Sequence, residues 1–290
     1  MKKKIVSLLV GILVLFCANI FGQIKDTTTL GPQKGTLIII GGGQTTNEIW
    51  YAFFKAAGGK DANIVIVPTA QSDKKMPEAV SKITSRLNKF GAHNITILHT
   101  RNPKEANTEE FVAPIRKASA VFFQGGREWR LADSYLNTLA HKELLAVLDR
   151  GGVIAGSSAG ASIQSDFMLR GDEKTNKTII GDHTTGLGFI HNVAIDQHVL
   201  KRNRQYEMLE VIKTYPNLIG IGIDESTAII VKKDKFEVIG NSLVMVYDID
   251  LLNKNKTNPT EQENNDEPFY KLKKGDIFNL KSKKVIQHFE

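Results

Sequence analysis

From residue 35 onwards, the chain alternates short apolar, β-branched runs with longer amphipathic stretches. Each apolar run ends in a turn of small residues or proline, and continuous runs of this kind are typical of parallel strands buried on both faces. The longer stretches carry leucine, alanine and charged residues at helical spacing. The predicted strands are 35–40, 63–67, 94–98, 120–123 and 152–155, and the clearest predicted helices are 79–90 and 139–148.

This alternation predicts an α/β fold, namely a three-layer α/β/α sandwich with a mainly parallel sheet of the class I glutaminase-like (flavodoxin-like) type. In such sheets ligands bind beyond the carboxyl ends of the strands. Towards the C-terminus the runs shorten and are joined by charged or Gly-Asn turns, which predicts an antiparallel extension. Its strands are 228–231, 235–238 and 243–247, followed by an exposed loop at 252–267 and one or two edge strands within 270–289.

Residues 1–22 are predicted to be an export signal. Three lysines precede an apolar run over residues 5–16, which is shorter than the roughly 20 residues needed to span a bilayer. Gly22 provides a small residue for cleavage, whereas Cys17 leaves lipid attachment as an alternative that the bulky Phe16 disfavours. We therefore expect residues 23–290 to form a single domain, periplasmic or secreted, without membrane contact after signal removal.

Charge and cysteine content restrict the chemistry. The formal net charge is +7, and removal of residues 1–22 takes away three lysines and no acidic residue, which leaves +4. This excess forms no basic stripe, so we expect no nucleic-acid partner. Cys17 is the only cysteine, so residues 23–290 have no disulfide and any nucleophile there must be an oxygen or an amine.

The turn after the predicted strand 152–155 has the pattern G-x-S-x-G, with Ser158 at its centre. A nucleophile on a tight strand-to-helix turn requires small residues two positions to either side. The turn places Ser158 at a helix N-terminus, where the N–H of Ala159 is one expected oxyanion donor, and the turn at 122–126 would supply the second. A tight turn without chemistry is one alternative, and Ser157 as the nucleophile is another.

A serine nucleophile needs a base and an acid. His198 ends the apolar run 194–198 and is the first choice for the base, because the ordinary pKa of histidine lies near neutral pH. His183 and His191 are the alternatives, and a purely structural histidine is a third possibility. For the carboxylate that orients the base, Asp224 and Glu225 both follow the predicted strand 219–223.

Lys201, Arg202 and Arg204 form a positive cluster close to His198. Guanidinium groups bind carboxylates well, so arginines in the site would indicate a substrate with acidic groups. The alternative is a solvated helix face.

Together, these motifs resemble the cyanophycinase branch of the S51 serine peptidases. The resemblance extends from about residue 35 to about residue 231 and preserves the order of five motifs. They are GTLIIIGGG at 35–43, FFQGG at 122–126, GSSAGA at 156–161, DQH at 196–198 with Arg202 and Arg204, and GIDE at 222–225.

The resemblance implies a serine peptidase that needs neither a metal nor another cofactor and commonly forms a homodimer. Its substrate would be a peptide or polypeptide with aspartyl and arginyl groups, from which cyanophycinases release β-aspartyl-arginine dipeptides. Residues 23–290 would then be one S51 peptidase-like catalytic domain. The implied roles are nucleophile for Ser158, base for His198, its carboxylate partner for Glu225, oxyanion donors for Gly126 and Ala159, and substrate binding for Asp196, Gln197, Arg202 and Arg204.

The chain departs from the cyanophycinase pattern at two pocket positions. Glu128 stands where those enzymes usually carry glutamine, and Glu207 stands where they carry a third arginine. We expect Glu128 to line the substrate pocket and to favour a basic side chain, and Glu207 to pair with Arg204.

The expected reaction is attack of Ser158 on an aspartyl carbonyl, followed by hydrolysis of the acyl-enzyme. One alternative is another S51 dipeptidase acting on short α- or β-aspartyl peptides, and another is a non-catalytic binding protein on the same scaffold. A glutaminase of this fold would need a cysteine nucleophile. An α/β-hydrolase esterase would have its acid before the histidine.

Overall fold

The computed structural model describes residues 29–257 and 267–288. The predicted export signal at 1–22 and residues 258–266 of the predicted loop lie outside the described residues. The strands are β1 Thr36–Ile40, β2 Asn63–Val67, β3 Asn94–Ile97, β4 Ala120–Phe123, β5 Val153–Ser157, β6 Ser165–Gly171, β7 His183–Thr185, β8 Ile190–Gln197, β9 Ile219–Ile223, β10 Thr227–Lys232, β11 Lys235–Gly240, β12 Val244–Tyr247, β13 Tyr270–Leu272, β14 Ile277–Asn279 and β15 Lys284–Gln287. The α-helices are α1 Asn47–Ala56, α2 Met76–Lys89, α3 Glu109–Lys117, α4 Glu128–Tyr135, α5 Leu139–Asp149, α6 Ala159–Ser162, α7 Met208–Thr214 and α8 Ile249–Thr257.

A nine-stranded sheet forms the centre of the fold, in the order β15-β14-β11-β10-β1-β5-β4-β2-β3. The five strands from β1 to β3 in this order are parallel, and the other four continue the sheet in antiparallel pairing. The predicted α/β fold, with its mainly parallel sheet and antiparallel C-terminal extension, is confirmed.

Strand β1 shows how one apolar run serves two layers. Leu37 and Ile39 point into one hydrophobic core, while Ile38 and Ile40 point into the other. Helices α1 and α2 cover the second core, where Trp50 stacks on Phe122 with ring centroids 5.0 Å apart. Helices α3 and α5 contribute to the first core. A strand covered on both faces has no polar side, which explains the uninterrupted apolar runs.

A second sheet of six strands, in the order β13-β12-β9-β8-β6-β7, was not predicted. Its strands share the first hydrophobic core with the nine-stranded sheet, so that Ile195 and Ile221 belong to the same cluster as Ile39 and Ile154. Strand β12 was expected in the C-terminal extension but pairs with β9 in this second sheet. Apolar periodicity predicts that a segment is a strand but does not specify its partners.

Two predictions about the C-terminal part need correction. The first residues of the predicted loop 252–267 belong to helix α8, because the Asp248 carboxylate accepts hydrogen bonds from the N–H groups of Asp250 and Leu251 and Leu252 is buried. The predicted one or two strands within 270–289 are three, β13 to β15. Across residues 29–257 and 267–288, no helix has the length and apolar character that a membrane span requires.

Candidate active site

Ser158 occupies the turn between β5 and α6, with the backbone angles φ 56° and ψ −118°. Its N–H donates to the carbonyl of Ile40 at 3.1 Å, and its own carbonyl accepts from the N–H groups of Ala161 and Ser162 to begin the helix. The residue is thus held between the end of β1 and the first turn of α6. This is the strand-to-helix turn predicted from the G-x-S-x-G pattern.

The two glycines of that pattern are sterically required. A Cβ at position 156 would lie 2.0 Å from the Gly160 carbonyl oxygen, and a Cβ at position 160 would lie 2.2 Å from the Phe123 carbonyl oxygen. Backbone atoms cannot move aside for such contacts without distortion of the turn. The small residues therefore allow the tight bend that presents Ser158.

His198 lies immediately after β8 and meets Ser158 from the second sheet. Its Nε2 is 3.0 Å from the Ser158 Oγ, and its Nδ1 is 2.6 Å from Oε1 of Glu225. The backbone N–H of His198 donates to the Gly41 carbonyl at 2.8 Å, which fixes the ring against the turn after β1. The structure thus brings Ser158, His198 and Glu225 into one hydrogen-bonded chain.

The hydrogen-bond partners define the tautomer of His198. A carboxylate only accepts hydrogen bonds, so Nδ1 carries the proton and donates to Glu225. Nε2 then presents its lone pair to the Ser158 hydroxyl. Burial lowers the pKa of the His198 imidazole below its ordinary value of 6.5, although the hydrogen bond with Glu225 acts in the opposite direction. The imidazole is therefore neutral and able to accept a proton near neutral pH.

The adjacent acids Asp224 and Glu225 have different surroundings. Asp224 is buried and accepts hydrogen bonds from the N–H groups of Leu200 and Lys201, and from the Ser242 hydroxyl at 2.7 Å. It therefore fixes the loop that follows His198. Glu225, the next residue, turns to the imidazole, so the geometry selects Glu225 of the two candidates.

The glycine turn after β1 makes room for this chain of side chains. A Cβ at Gly42 would lie 2.3 Å from Cε1 of His198, and a Cβ at Gly43 would lie 2.6 Å from Oε2 of Glu225. Both glycines have positive φ, 109° and 65°. Sequence reasoning included this turn in the motif set but did not identify the contact with His198 and Glu225.

Left-handed backbone conformations concentrate at this site. Ser158, His198 and Ser226, which follows Glu225, have φ values of 56°, 56° and 58°. Each such residue costs of order 1–3 kcal/mol and persists only where the surroundings hold it. The Ser226 N–H donates to the Gly42 carbonyl at 3.0 Å, so the turn after β1 also holds this strained segment.

Two backbone segments face Ser158 as sources of oxyanion donors. The N–H of Ala159 belongs to the first helical residue of α6 and so has no acceptor within the helix. In the turn after β4, a Cβ at Gly125 would lie 3.5 Å from the Ser158 Oγ, whereas a Cβ at Gly126 would lie against the Ala70 carbonyl. Gly125 therefore adjoins Ser158 within the turn predicted to supply the second donor, and the roles of Gly126 and Ala159 stay predictions.

Asp196 is buried and forms a bidentate ion pair with Arg170. Nε of Arg170 donates to Oδ1 at 2.9 Å and its terminal nitrogen donates to Oδ2 at 2.6 Å, with both side chains almost fully buried. Asp196 also accepts the N–H of Gln197. The observed contacts of Asp196 hold the Arg170 guanidinium and the backbone N–H of Gln197. Its expected role in substrate binding stays a prediction.

Arg170 was missed by sequence reasoning. Its signal was an arginine directly after the apolar residues 167–169 of β6. Its guanidinium is also 2.9 Å from the Glu207 carboxylate. The expected pairing of Glu207 with Arg204 is therefore wrong, because Arg170 of the second sheet forms the ion pair with Glu207. In the part of the chain that the structure describes, the hydrogen bond between Glu207 and Arg204 runs from backbone N–H to backbone carbonyl.

Glu128 and Gln197 are joined in a buried contact. Nε2 of Gln197 donates to Oε1 of Glu128 at 2.9 Å, while Oε2 of Glu128 and Oε1 of Gln197 have no hydrogen-bond partner among the described residues. Burial raises the pKa of Glu128 to about 7. This pair therefore offers two unpaired oxygen atoms in a buried environment.

The raised pKa of Glu128 predicts a pH-dependent cost to the folded protein. The carboxyl is protonated in both states below its ordinary pKa of 4.5, but between pH 4.5 and 7 the unfolded chain ionises while the folded one holds its proton. Stability therefore falls across this interval, by about 3 kcal/mol. We expect Glu128→Gln to unfold at higher urea concentration than the parent at pH 8, with little difference at pH 4.5.

The exposed Glu210→Gln variant on α7 is the control and should show no such pH-dependent difference. An equal effect of Glu128→Gln at both pH values would contradict a carboxyl that is protonated by burial.

The two predicted arginines differ in their surroundings. Arg204 is buried, donates to the Asn176 carbonyl at 2.9 Å and keeps one terminal nitrogen unpaired among the described residues. Arg202 is exposed, and its N–H donates to the His198 carbonyl. Its positive charge contributes to lowering the pKa of His198. Arg202 is thus electrostatically coupled to the histidine, and the role of both arginines in substrate binding stays a prediction.

The alternative histidines contact other residues. Nε2 of His183 lies 2.9 Å from Asp133, and His191 faces Asp166, whose hydrogen bond raises the pKa of that imidazole. His183, Asp133 and Glu173 each offer one possible metal-ligand atom within 4.8 Å of the others. None of these groups belongs to the chain of contacts at Ser158. Ser157, the alternative nucleophile, ends β5 one residue before the bend.

Comparisons with known proteins agree with this architecture. A cyanophycinase from Geminocystis herdmanii (strain PCC 6308) is 31% identical over 224 residues, which cover 74% of this chain and 81% of the relative. A cyanophycinase from Nostoc sp. (strain PCC 7120 / SAG 25.82 / UTEX 2576) is 31% identical over 258 residues, which cover 85% of this chain and 82% of the relative.

Solved structures show the same fold. A peptidase from an acI-B1 Actinobacterium superimposes with a TM-score of 0.64 at 23% identity, covering 86% of this chain and 98% of that one. A putative peptidase E protein from Listeria monocytogenes EGD-e gives a TM-score of 0.55 at 19% identity, covering 72% of this chain and 99% of that one. At these identities the likeness concerns the fold.

An α/β sandwich that presents a serine on a tight strand-to-helix turn, together with relatives of this kind, defines a serine-type peptidase. The chain belongs to peptidase family S51, whose family model matches residues 37–239. The cyanophycinase-like resemblance found in the five motifs is thereby confirmed.

Proposed function

We propose that the protein hydrolyses aspartyl peptide bonds, with Ser158 as nucleophile, His198 as base and Glu225 as the carboxylate that orients the imidazole. The observation that carries this proposal is the continuous contact of 3.0 Å from Ser158 to His198 and 2.6 Å from His198 to Glu225. The order of these residues along the chain, serine, histidine and then glutamate, is the order expected from the motifs.

The reaction follows from the protonation states. His198 takes the hydroxyl proton as the Ser158 oxygen attacks the substrate carbonyl, and the resulting imidazolium is stabilised by Glu225. The N–H groups of Ala159 and of the 125–126 turn would stabilise the oxyanion, one such donor being worth about 3–4 kcal/mol. His198 then protonates the leaving amine, and water hydrolyses the acyl-enzyme by the same steps in reverse.

The substrate class rests on the relatives and on the pocket groups. Both curated relatives described above are cyanophycinases, and we propose a peptide or polymer with aspartyl and arginyl groups as the substrate. Arg204 offers an unpaired donor, and the Glu128–Gln197 pair offers two unpaired oxygens, of which that of Glu128 is an acceptor once the carboxyl is ionised. Such groups suit a substrate that carries both a carboxylate and a guanidinium. We also propose that residues 1–22 direct export, so that hydrolysis takes place outside the cytoplasm.

The test is an assay of the purified protein against cyanophycin, β-aspartyl-arginine amides and α-aspartyl dipeptides, with products identified by mass spectrometry. Release of β-aspartyl-arginine supports the proposed specificity. Cleavage of the short α-aspartyl peptides alone would instead support the dipeptidase alternative. No cleavage of any of them, together with no labelling of Ser158 by a serine-reactive fluorophosphonate, would refute a catalytic role.

The lowered pKa of His198 predicts the pH dependence of activity. Because the base must be unprotonated, we expect kcat/KM to fall with acid only below the ordinary histidine pKa of 6.5. Arg202→Gln removes a positive charge that lowers this pKa, so its acid limb should move to higher pH. Profiles are best measured in a Glu128→Gln background, because the Glu128 carboxyl, with a pKa of about 7, would add its own titration to the profile.

Lys142→Gln, an exposed lysine on α5, provides the charge-matched control for this measurement. An acid limb that moves to lower pH in Arg202→Gln, or that shifts equally in the control, would contradict the electrostatic coupling of Arg202 to His198.

A further inference from the structure

A cavity of about 650 Å³ lies beside the candidate nucleophile, on the side of the nine-stranded sheet that α1 and α2 cover. It is bordered by Gly43, Gly125 and Ser157, three residues from the turns that surround Ser158. Gly125 is the glycine whose added Cβ would lie 3.5 Å from the Ser158 Oγ. A peptide bound at Ser158 can therefore extend directly into this cavity.

Basic side chains dominate one wall of the cavity. Lys82, Arg86 and Lys89 lie four and three residues apart on α2 and all line it, as expected for one face of a helix. No acidic side chain is among the described residues that line the cavity. Lys82 contacts the exposed Glu78, whereas Arg86 donates to the neutral Asn47 side chain at 2.8 Å. Neither Arg86 nor Lys89 has a carboxylate partner in the described part of the chain. Two positive charges thus remain for an anion.

The other side chains that line the cavity suit a peptide rather than an inorganic anion. Gln124 is 7% exposed, its amide nitrogen donates to the Ala79 carbonyl, and its Oε1 has no partner among the described residues. This oxygen accepts hydrogen bonds and so fits a peptide N–H. The stacked rings of Trp50 and Phe122 supply an apolar surface next to it. The cavity therefore combines cations, a buried acceptor and an apolar wall.

We infer that this cavity is a binding subsite for a carboxylate-bearing segment of the peptide substrate next to the scissile bond. The inference rests on the proposed function for its link to peptides. Arg86 and Lys89 bind the carboxylate, and Oε1 of Gln124 accepts a backbone N–H of the same segment. Arg202, Arg204 and the Glu128–Gln197 pair belong to other segments and do not line this cavity.

The test uses the fluorescence of Trp50 as a local reporter. The chain has two tryptophans, so Trp129→Phe leaves Trp50 as the only one, and Ser158→Ala is added to prevent turnover. Titration with an acetylated tetra-aspartate peptide should give a saturable change in emission. Arg86→Glu and Lys89→Glu should each weaken binding by about tenfold or more, because a carboxylate then faces a carboxylate.

The matched control is Lys142→Glu, the same charge change on α5, which should leave the affinity for the peptide within about twofold of the parent. An acetylated tetra-asparagine peptide tests the need for charge. The subsite is refuted by the absence of a saturable change, by an equal affinity for both peptides, or by Arg86→Glu and Lys89→Glu both binding like the control.

This outcome is separable from that of the proposed function. Binding is measured without turnover, so a peptide that fails to bind refutes the subsite even if Ser158→Ala is inactive. Conversely, a Ser158→Ala protein that still hydrolyses substrate refutes the proposed nucleophile even if the cavity binds the peptide.

Discussion

Replacement of Ser158 by alanine should reduce kcat/KM for an aspartyl peptide by about 10⁴-fold or more, while the protein remains folded. The reason is that Ser158 places its hydroxyl oxygen 3.0 Å from Nε2 of His198. Alanine accepts the same backbone conformation as serine, so the cost lies in chemistry rather than in folding. Steady-state kinetics combined with thermal unfolding would separate the two.

Ser157→Ala is the informative control for this result, because the two serines are neighbours with the same hydroxyl group. Ser157 belongs to strand β5 and pairs with Ile40 of β1, so it does not occupy the bend. We expect its loss to lower activity by less than about tenfold. Larger inactivation by Ser157→Ala than by Ser158→Ala would reassign the nucleophile.

Gly42→Ala should lower kcat/KM by about 100-fold or more, although residue 42 carries no reacting atom. The new Cβ would lie 2.3 Å from Cε1 of His198 and would push the imidazole away from Ser158. A displacement of the base of about 1 Å is enough for such a loss. The measurement is kcat/KM together with the unfolding midpoint of the same preparation.

Gly58→Ala is a closely matched control for the backbone. Gly58 has φ 106°, almost the value of 109° at Gly42, but a Cβ there has no heavy atom within 4 Å. Both variants should lose stability by about 1–3 kcal/mol, the cost of a side chain at positive φ. Only Gly42→Ala should lose activity, and comparable activity in the two variants would contradict the contact between Gly42 and His198.

Local patterns predicted the parallel strands and the bend at Ser158. The apolar runs of β2 and β4 were predicted with the bounds that the structure shows, because burial on both faces leaves no polar residue within them. The bend was recognisable because steric crowding admits only small residues around Ser158. In both cases the physical cause acts within a few residues of the sequence signal.

Features that depend on distant partners could not be predicted in this way. Asp224 and Glu225 are adjacent and chemically alike. The hydrogen bonds from the N–H groups of Leu200 and Lys201, which are distant in sequence, identify Asp224 as the one that holds the loop after His198. The predicted partner of Glu207 was wrong for the same reason, since its actual partner Arg170 is distant in sequence and lies in a strand of the second sheet. Apolar periodicity also gave no indication that β8 and β9 form a sheet of their own.

The proposed machinery is divided between the two sheets, since Ser158 follows β5 while His198 and Glu225 follow β8 and β9. A folding intermediate with only the nine-stranded sheet in place would thus hold a serine without a base. Such an intermediate would be inactive, and it would hydrolyse peptides only after the second sheet has packed against the first. During refolding, the return of hydrolysis should therefore lag behind the return of secondary structure.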